Sequence, residues 1–390
     1  MIFLKKTINK IVIKVGSSSI ADENGINVGK MNQIVEQLAE LKFQRKDIII
    51  VSSGAIAAGK SELGYHYKPY SLSEKQACAA VGQGVLISKY RDLFANKNIK
   101  VAQILLTADD FSNRQRYLNA YNTMNTLLDT GVIPIVNEND TITTDEIKFG
   151  DNDVLSAQVA SLLEADLSII LSDVPGLLKD LGDSKSLVNT VEEITPDIEN
   201  LANGKSGKLG TGGMNSKIKA AKISIASGIP LTILPAYEKG IIKKGVDAIE
   251  NKQFNVGTTF LPKGERMSKR KRWIQFSLKP KGKLIVDDGA HQALLKGKSL
   301  LAVGIVSISG SFSPGDLVTI FNKKRENIGK GLINYSSEEL KEIIGKKTND
   351  ILTFKENLRP EEVIHRNNLV IMEATEGFEP SNSGFADRRL

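Results

Sequence analysis

From residue 10 to about residue 234 the apolar positions follow two alternating textures. Six short runs are almost wholly apolar and rich in β-branched residues: KIVIKV (10–15), DIIIV (47–51), VAQILL (101–106), VIPIV (132–136), LSIIL (167–171) and PLTIL (230–234). Between them lie longer stretches with apolar residues at helical spacing, over 28–43, 73–94, 113–130, 152–163 and 215–227. A strand covered on both faces has no polar side and so shows no alternation. The pattern therefore predicts a three-layer αβα sandwich around an open, mainly parallel sheet. Beyond Pro262 the texture changes. Strand-like segments at 273–278, 283–286, 303–309, 317–321 and 327–333 are short and separated by turns such as Ser313-Pro314-Gly315-Asp316. They predict a small second domain of β-barrel type. The expected organisation is a first domain over 1–262, a basic linker over 263–277, the second domain over 278–366, and a disordered tail over 367–390 without periodicity.

A chain of 390 residues has room for these domains. One cysteine, Cys78, excludes a disulfide framework and cysteine-based zinc sites. No stretch approaches the ~18 apolar residues that cross a bilayer. The first ten residues carry no secretory pattern, and the expected compartment is the cytoplasm. The net charge of +7 is uneven: Lys263, Arg266, Lys269, Arg270, Lys271 and Arg272 crowd one stretch, opposed there only by Glu265. That run reads either as a solvated linker or as a contact for an anionic partner.

The polar chemistry gathers just after the strands. Gly16-Ser17-Ser18-Ser19, Ser52-Ser53-Gly54-Ala55, Asn137-Glu138-Asn139-Asp140 and Ser172-Asp173 each follow or close an apolar run. Parallel strands put such ends on one edge, where α/β sheets bind ligands. Lys14 sits inside the first run, which is costly unless its ammonium finds a partner. It belongs either to a phosphate site or to an edge strand from which it reaches water. The segment Gly54-Ala55-Ile56-Ala57-Ala58-Gly59-Lys60-Ser61 fits the letters of a P-loop, but Ala-Ile-Ala-Ala favours a helix start over an extended nest of amides. Ser53-Gly54-Ala55 then reads as a strand-to-helix turn with free amides. A glycine-dense loop over 207–213 leads into a helix bearing Lys217, an arrangement suited to phosphates. Asn152 beside Gly150 and Asp151 either caps the helix after it or binds a zwitterion, and Asp153 would orient lysines or a metal. His66, His291 and His365 have no metal spacing, and Cys78 reads as packing.

In this order, Lys14-Val15-Gly16-Ser17-Ser18, Ser52-Ser53-Gly54-Ala55-Ile56-Ala57-Ala58-Gly59, Asn137-Glu138-Asn139-Asp140, Gly150-Asp151-Asn152-Asp153 and Gly210-Thr211-Gly212-Gly213-Met214 resemble the glutamate 5-kinase family of the amino acid kinase superfamily. The likeness runs from about residue 8 to residue 366, and its C-terminal part resembles a PUA domain. The resemblance implies phosphorylation of the glutamate γ-carboxylate by ATP, the first step of proline biosynthesis. It implies catalytic roles for Lys14, Lys217 and Asp153, and glutamate binding by Ser53, Gly54, Ala55, Asp140 and Asn152. ATP would meet Lys14, Ser172, Asp173 and the run Thr211, Gly212, Gly213, Met214, Asn215, Ser216 and Lys217. It further implies Mg²⁺ with ATP and no resident metal site, a homo-oligomer, feedback inhibition by proline and hand-off of the product to glutamyl phosphate reductase. Ser172 stands where that family usually has threonine, and the segment 174–180 lacks its usual tyrosine. Two rival readings stand beside it: an RNA-binding or RNA-modifying protein, resting on the PUA-like part and the basic run, and a kinase for another carboxylate or for carbamate. Trp273, Phe276 and Phe312 are few stacking candidates for the first of these.

Overall fold

The strand that carries Lys14 lies in the middle of its sheet, hydrogen-bonded to a parallel neighbour on each side. The computed structural model describes residues 7–23, 25–67, 69, 71–142, 152–180, 183–203, 212–263, 267–276, 278–346 and 362–371. They fall into two compact units, Met1–Met267 and Ser268–Leu390.

In the first unit the strands of the main sheet, in chain order, are β1 (Lys10–Val15), β2 (Asp47–Ser52), β3 (Val101–Leu106), β4 (Ile133–Glu138), β5 (Leu167–Ser172), β6 (Thr190–Val191), β7 (Leu231–Pro235) and β8 (Thr258–Phe260). They lie side by side as β3-β4-β2-β1-β5-β7-β8-β6. Every neighbouring pair is parallel except β7 with β8. The helices are α1 (Val28–Phe43), α2 (Ala55–Glu62), α3 (Leu72–Ala95), α4 (Arg114–Asp129), α5 (Asn152–Leu163), α6 (Pro196–Asn203), α7 (Gly212–Ala226) and α8 (Ile241–Glu250), besides short helical turns at Ser17–Ile20 and Ala108–Ser112. Local chemistry starts several of them. Asn27 caps α1 through the Lys30 amide, and Ser71 with Glu74 forms a capping box on α3.

The sheet has a core layer on each face. Ile11, Ile13 and Val15 of β1 join Ile48 and Ile50 of β2 in a layer with α1, α3 and α8. Val12 joins Ile49 and Val51 in the opposite layer with α4 and α5. Each fully buried valine or isoleucine contributes on the order of 2 kcal/mol. The expected alternation and parallel sheet are thus present. The central place of β1 follows from strand order, which a single run of residues does not encode.

The second unit has a five-stranded sheet, β10-β9-β11-β12-β13, built from β9 (Gly282–Val286), β10 (Ile305–Gly310), β11 (Leu317–Phe321), β12 (Asn327–Leu332) and β13 (Leu369–Ile371). Only β9 and β11 pair in parallel. Its core holds Leu284, Val286, Ile305, Val318, Ile320 and Ile328. Two expectations fail here. Leu369–Ile371, inside the expected disordered tail over 367–390, form β13 and pair with β12. Residues Lys269–Phe276, the end of the basic run and the start of the strand-like segment at 273–278, form a helix, α9, packed against β12, β13 and the turn Arg366–Asn368. Arg272 and Ile274 are buried, so this stretch is a structural element with an inner face. Dense like charges hid that face from a reading by composition.

Candidate active site

The site begins with the two-residue period of β1. Val12 faces the layer of α4 and α5, and Lys14, two residues on, shares that face. The second residue of α5 is Asp153. Lys14 Nζ stands 2.7 Å from Asp153 Oδ1, and Lys217 Nζ, from the second turn of α7, stands 3.0 Å from Oδ2. The Ser216 hydroxyl donates to Oδ2 at 2.7 Å. Lys217 also donates to the Gly213 carbonyl at 3.3 Å. All three residues are buried. Burial pushes the Asp153 carboxyl up, but Lys14 and Lys217, together with the bonds from Lys14 and Ser216, outweigh it and hold the group below its ordinary value. Asp153 is therefore ionised at neutral pH, and the cluster of two ammonium groups and one carboxylate keeps an excess positive charge. The alternative in which Lys14 reaches water from an edge strand is excluded.

Towards β2 and β4, Asn152 ties three strand-end groups together. Its side-chain amide donates to the Ser52 carbonyl at 3.1 Å, to Ser53 Oγ at 2.8 Å and to Asn137 Oδ1 at 3.1 Å. A carbonyl only accepts, so the Ser52 contact sets which way this amide points. Asn137 Oδ1 also accepts from the Glu138 amide at 2.9 Å. Two buried atoms then remain without a partner, Asn137 Nδ2 and Asn152 Oδ1. One is a donor and the other an acceptor, the pair that the carboxylate and ammonium of an amino acid would satisfy. Asp140 is buried just beyond β4, and desolvation raises its carboxyl to about 6. Gly54 adopts φ 105°, a left-handed conformation that glycine takes without strain, and so turns the chain from β2 into α2. Ala55 is the first residue of α2.

On the other side of β1, Ser172 closes β5 and donates to Asp173 Oδ1 at 3.2 Å. Asp173 is exposed, whereas Met214 and Asn215 are half-buried in the first turn of α7. Thr211, Gly150, Asp151, the loop residues 207–210 and the tail after Ile371 lie outside the described residues.

The P-loop look-alike resolves differently. Its residues 55–61 lie in helix α2, and a methyl group on Gly59 would overlap the Cys78 carbonyl of α3. Gly59 is there to let two helices touch. Asn137 is the residue whose part in this site the sequence reading left unassigned. It sat in the Asn-Glu-Asn-Asp run, but only strand register and the position of Asn152 turn it inward.

The amino acid kinase family model matches residues 9–235, and the PUA domain model matches residues 282–354. Glutamate 5-kinase of Caldanaerobacter subterraneus subsp. tengcongensis is 46% identical over 374 residues, covering 95% of this chain and 99% of that enzyme. Enzymes of the same name from Thermoanaerobacter sp. and Pelobacter propionicus are 45% and 42% identical, each over 95% of this chain and 99% of the relative. With matches of that extent the chain belongs to the amino acid kinase family, in its glutamate 5-kinase branch.

Proposed function

We infer that the chain transfers the γ-phosphoryl group of ATP to the γ-carboxylate of L-glutamate, giving L-glutamyl 5-phosphate, the entry step of proline biosynthesis. The observation that carries this reading is the meeting of Lys14 and Lys217 on Asp153, beside a polar pocket with one unsatisfied donor and one unsatisfied acceptor.

A carboxylate is already ionised at neutral pH, so no general base is needed. One of its oxygens forms a bond to phosphorus while the bond from phosphorus to the bridging oxygen of ADP breaks, and ADP leaves with the electron pair. The obstacle is repulsion among the acceptor carboxylate, the transferring group and the leaving ADP. Lys14 and Lys217 offset it as fixed positive charges that need no reorganisation. Asp153 holds both ammonium groups in place and does not touch the reacting atoms. In this reading Ser53, Gly54, Ala55, Asp140 and Asn152, now joined by Asn137, bind glutamate over β2 and β4. Ser172, Asp173 and residues 211–217 receive ATP on the far side of β1.

Among the described residues no three His, Cys, Asp or Glu side chains converge on a point. Mg²⁺ is proposed to arrive with ATP, where it would neutralise charge on the phosphates. No described helix is long and apolar enough to cross a membrane. Action in the cytoplasm, assembly as a homo-oligomer, inhibition by proline and hand-off to glutamyl phosphate reductase remain parts of the proposal. Trapping the acyl phosphate with hydroxylamine tests the phosphoryl transfer. ATP-dependent hydroxamate with glutamate, and none with aspartate, acetylglutamate or carbamate, is the expected result. Its absence with glutamate overturns the reading.

A further inference from the structure

Helix α3 contributes nothing to the polar cluster, yet it touches both chain turns that build the acceptor half of the site. Gly82, Leu86 and Tyr90 recur every four residues and share one face. At the upper end a methyl group on Gly82 would overlap the Ala55 carbonyl, so α3 backs directly onto the first turn of α2. At the lower end the Tyr90 hydroxyl lies 3.0 Å from Ser52 Oγ. Ser52 gives its own proton to the Ser53 carbonyl at 3.0 Å, which leaves Tyr90 as the donor. Between them Gln83 reaches the neighbouring turn: its amide donates to the Glu138 carbonyl at 3.3 Å, two residues before Asp140. Gln103 of β3 in turn donates to Gln83 Oε1 at 3.0 Å and sets which way that amide points. Gln83 and Tyr90 are buried. None of these contacts reaches towards β5 or α7, where ATP is placed.

We propose that Gln83 is a positioning residue for the acceptor amino acid, acting through the Glu138 carbonyl on the turn that carries Asp140, with Tyr90 doing the same for the Ser52-Ser53 turn. This rests on the assignment of that half of the site to glutamate. The helix thereby governs how well glutamate is held without governing the nucleotide.

The test is steady-state kinetics of the full chain with each substrate varied in turn. Gln83→Met keeps the bulk and removes both hydrogen bonds. Its KM for glutamate rises about tenfold, the effect of one lost hydrogen bond, while kcat at saturating glutamate and KM for ATP stay within about twofold. Tyr90→Phe removes one oxygen atom and shifts the same constant less in the same direction. It carries the test alone if Gln83→Met does not fold, as judged by circular dichroism. An unmoved glutamate KM, or a parallel loss in kcat and both KM values, overturns the proposal, because a merely structural defect does not discriminate between substrates. The wild-type chain is the control. If it forms no glutamyl hydroxamate, the proposed function fails and takes this inference with it. If it does and the variants behave as wild type, only this inference fails.

Discussion

Lys14 and Lys217 reach the same carboxylate from opposite directions, one from the central strand β1 and one from helix α7, each taking a different oxygen of Asp153. A buried carboxylate between two ammonium groups leaves a net positive charge in a place of low dielectric. Such a place favours an anion more strongly than any exposed pair of lysines.

In the proposed mechanism, replacing either lysine removes a charge that acts on the transferring group. Lys14→Ala and Lys217→Ala are each expected to lower kcat at least ~100-fold. The readout is hydroxamate formation at saturating ATP and glutamate. Turnover near that of wild type in either variant would refute the assignment.

Asp153→Asn leaves two buried ammonium groups without a counter-charge, at a cost of ~3 kcal/mol or more in stability. The Asp153 carboxyl lies below its ordinary value of 3.8, so its contribution is complete above that pH. It is lost only as pH falls through the depressed folded-state value. The gap in melting temperature between wild type and variant should therefore be constant near neutrality and close only in strong acid. Added ATP should stabilise the variant more than the wild type, because its phosphates replace the missing negative charge. Thermal unfolding with and without ATP checks both points.

Asp140 has the opposite sign. Desolvation raises its carboxyl to about 6, so ionising it costs stability. Its favourable contribution to the fold is complete below the ordinary value of 3.8 and is lost as pH rises through about 6. In the proposed site Asp140 meets the ammonium of glutamate, a contact that requires the ionised form. KM for glutamate should thus climb as pH falls below about 6, by up to about tenfold per unit, and level off above it. Asp140→Asn should lose this dependence, bind glutamate weakly at every pH, and melt higher than wild type at pH above about 6. A pH series of glutamate saturation curves, paired with melting curves, separates these effects.

Lys60 occupies the lysine position of the P-loop look-alike but belongs to the helix packed on α3. Lys60→Ala is expected to leave KM for ATP within about twofold of wild type. Gly59→Ala, by contrast, should destabilise the chain by ~1–3 kcal/mol through overpacking against Cys78. A large rise in KM for ATP on replacing Lys60 would restore the P-loop reading.

Much of the candidate site was legible in the sequence, because its parts are local. Turn residues at the ends of β1, β2, β4 and β5 announce themselves by composition, and a lysine inside KIVIKV is conspicuous by its cost. Partnership was less visible. Whether Asn152 capped a helix or bound a ligand depended on Ser53 and Asn137 approaching it from two other elements. The basic run misled because charge density says nothing about which residue of a short helix turns inward, as Arg272 and Ile274 do.

Periodicity and turn chemistry were enough to place β1 to β5, β7 and the helices α1, α3, α4, α5 and α7, while the family came from the resemblance of its motifs. Both are written into neighbouring residues, where φ, ψ and amphipathic spacing act directly. Tertiary structure alone decided that β1 is central, that Lys14 and Lys217 share Asp153, that Gly59 serves packing and that α3 stands behind the acceptor turns. Those relations join residues far apart in the chain. They exist only once burial and strand order have brought the groups within reach of one another.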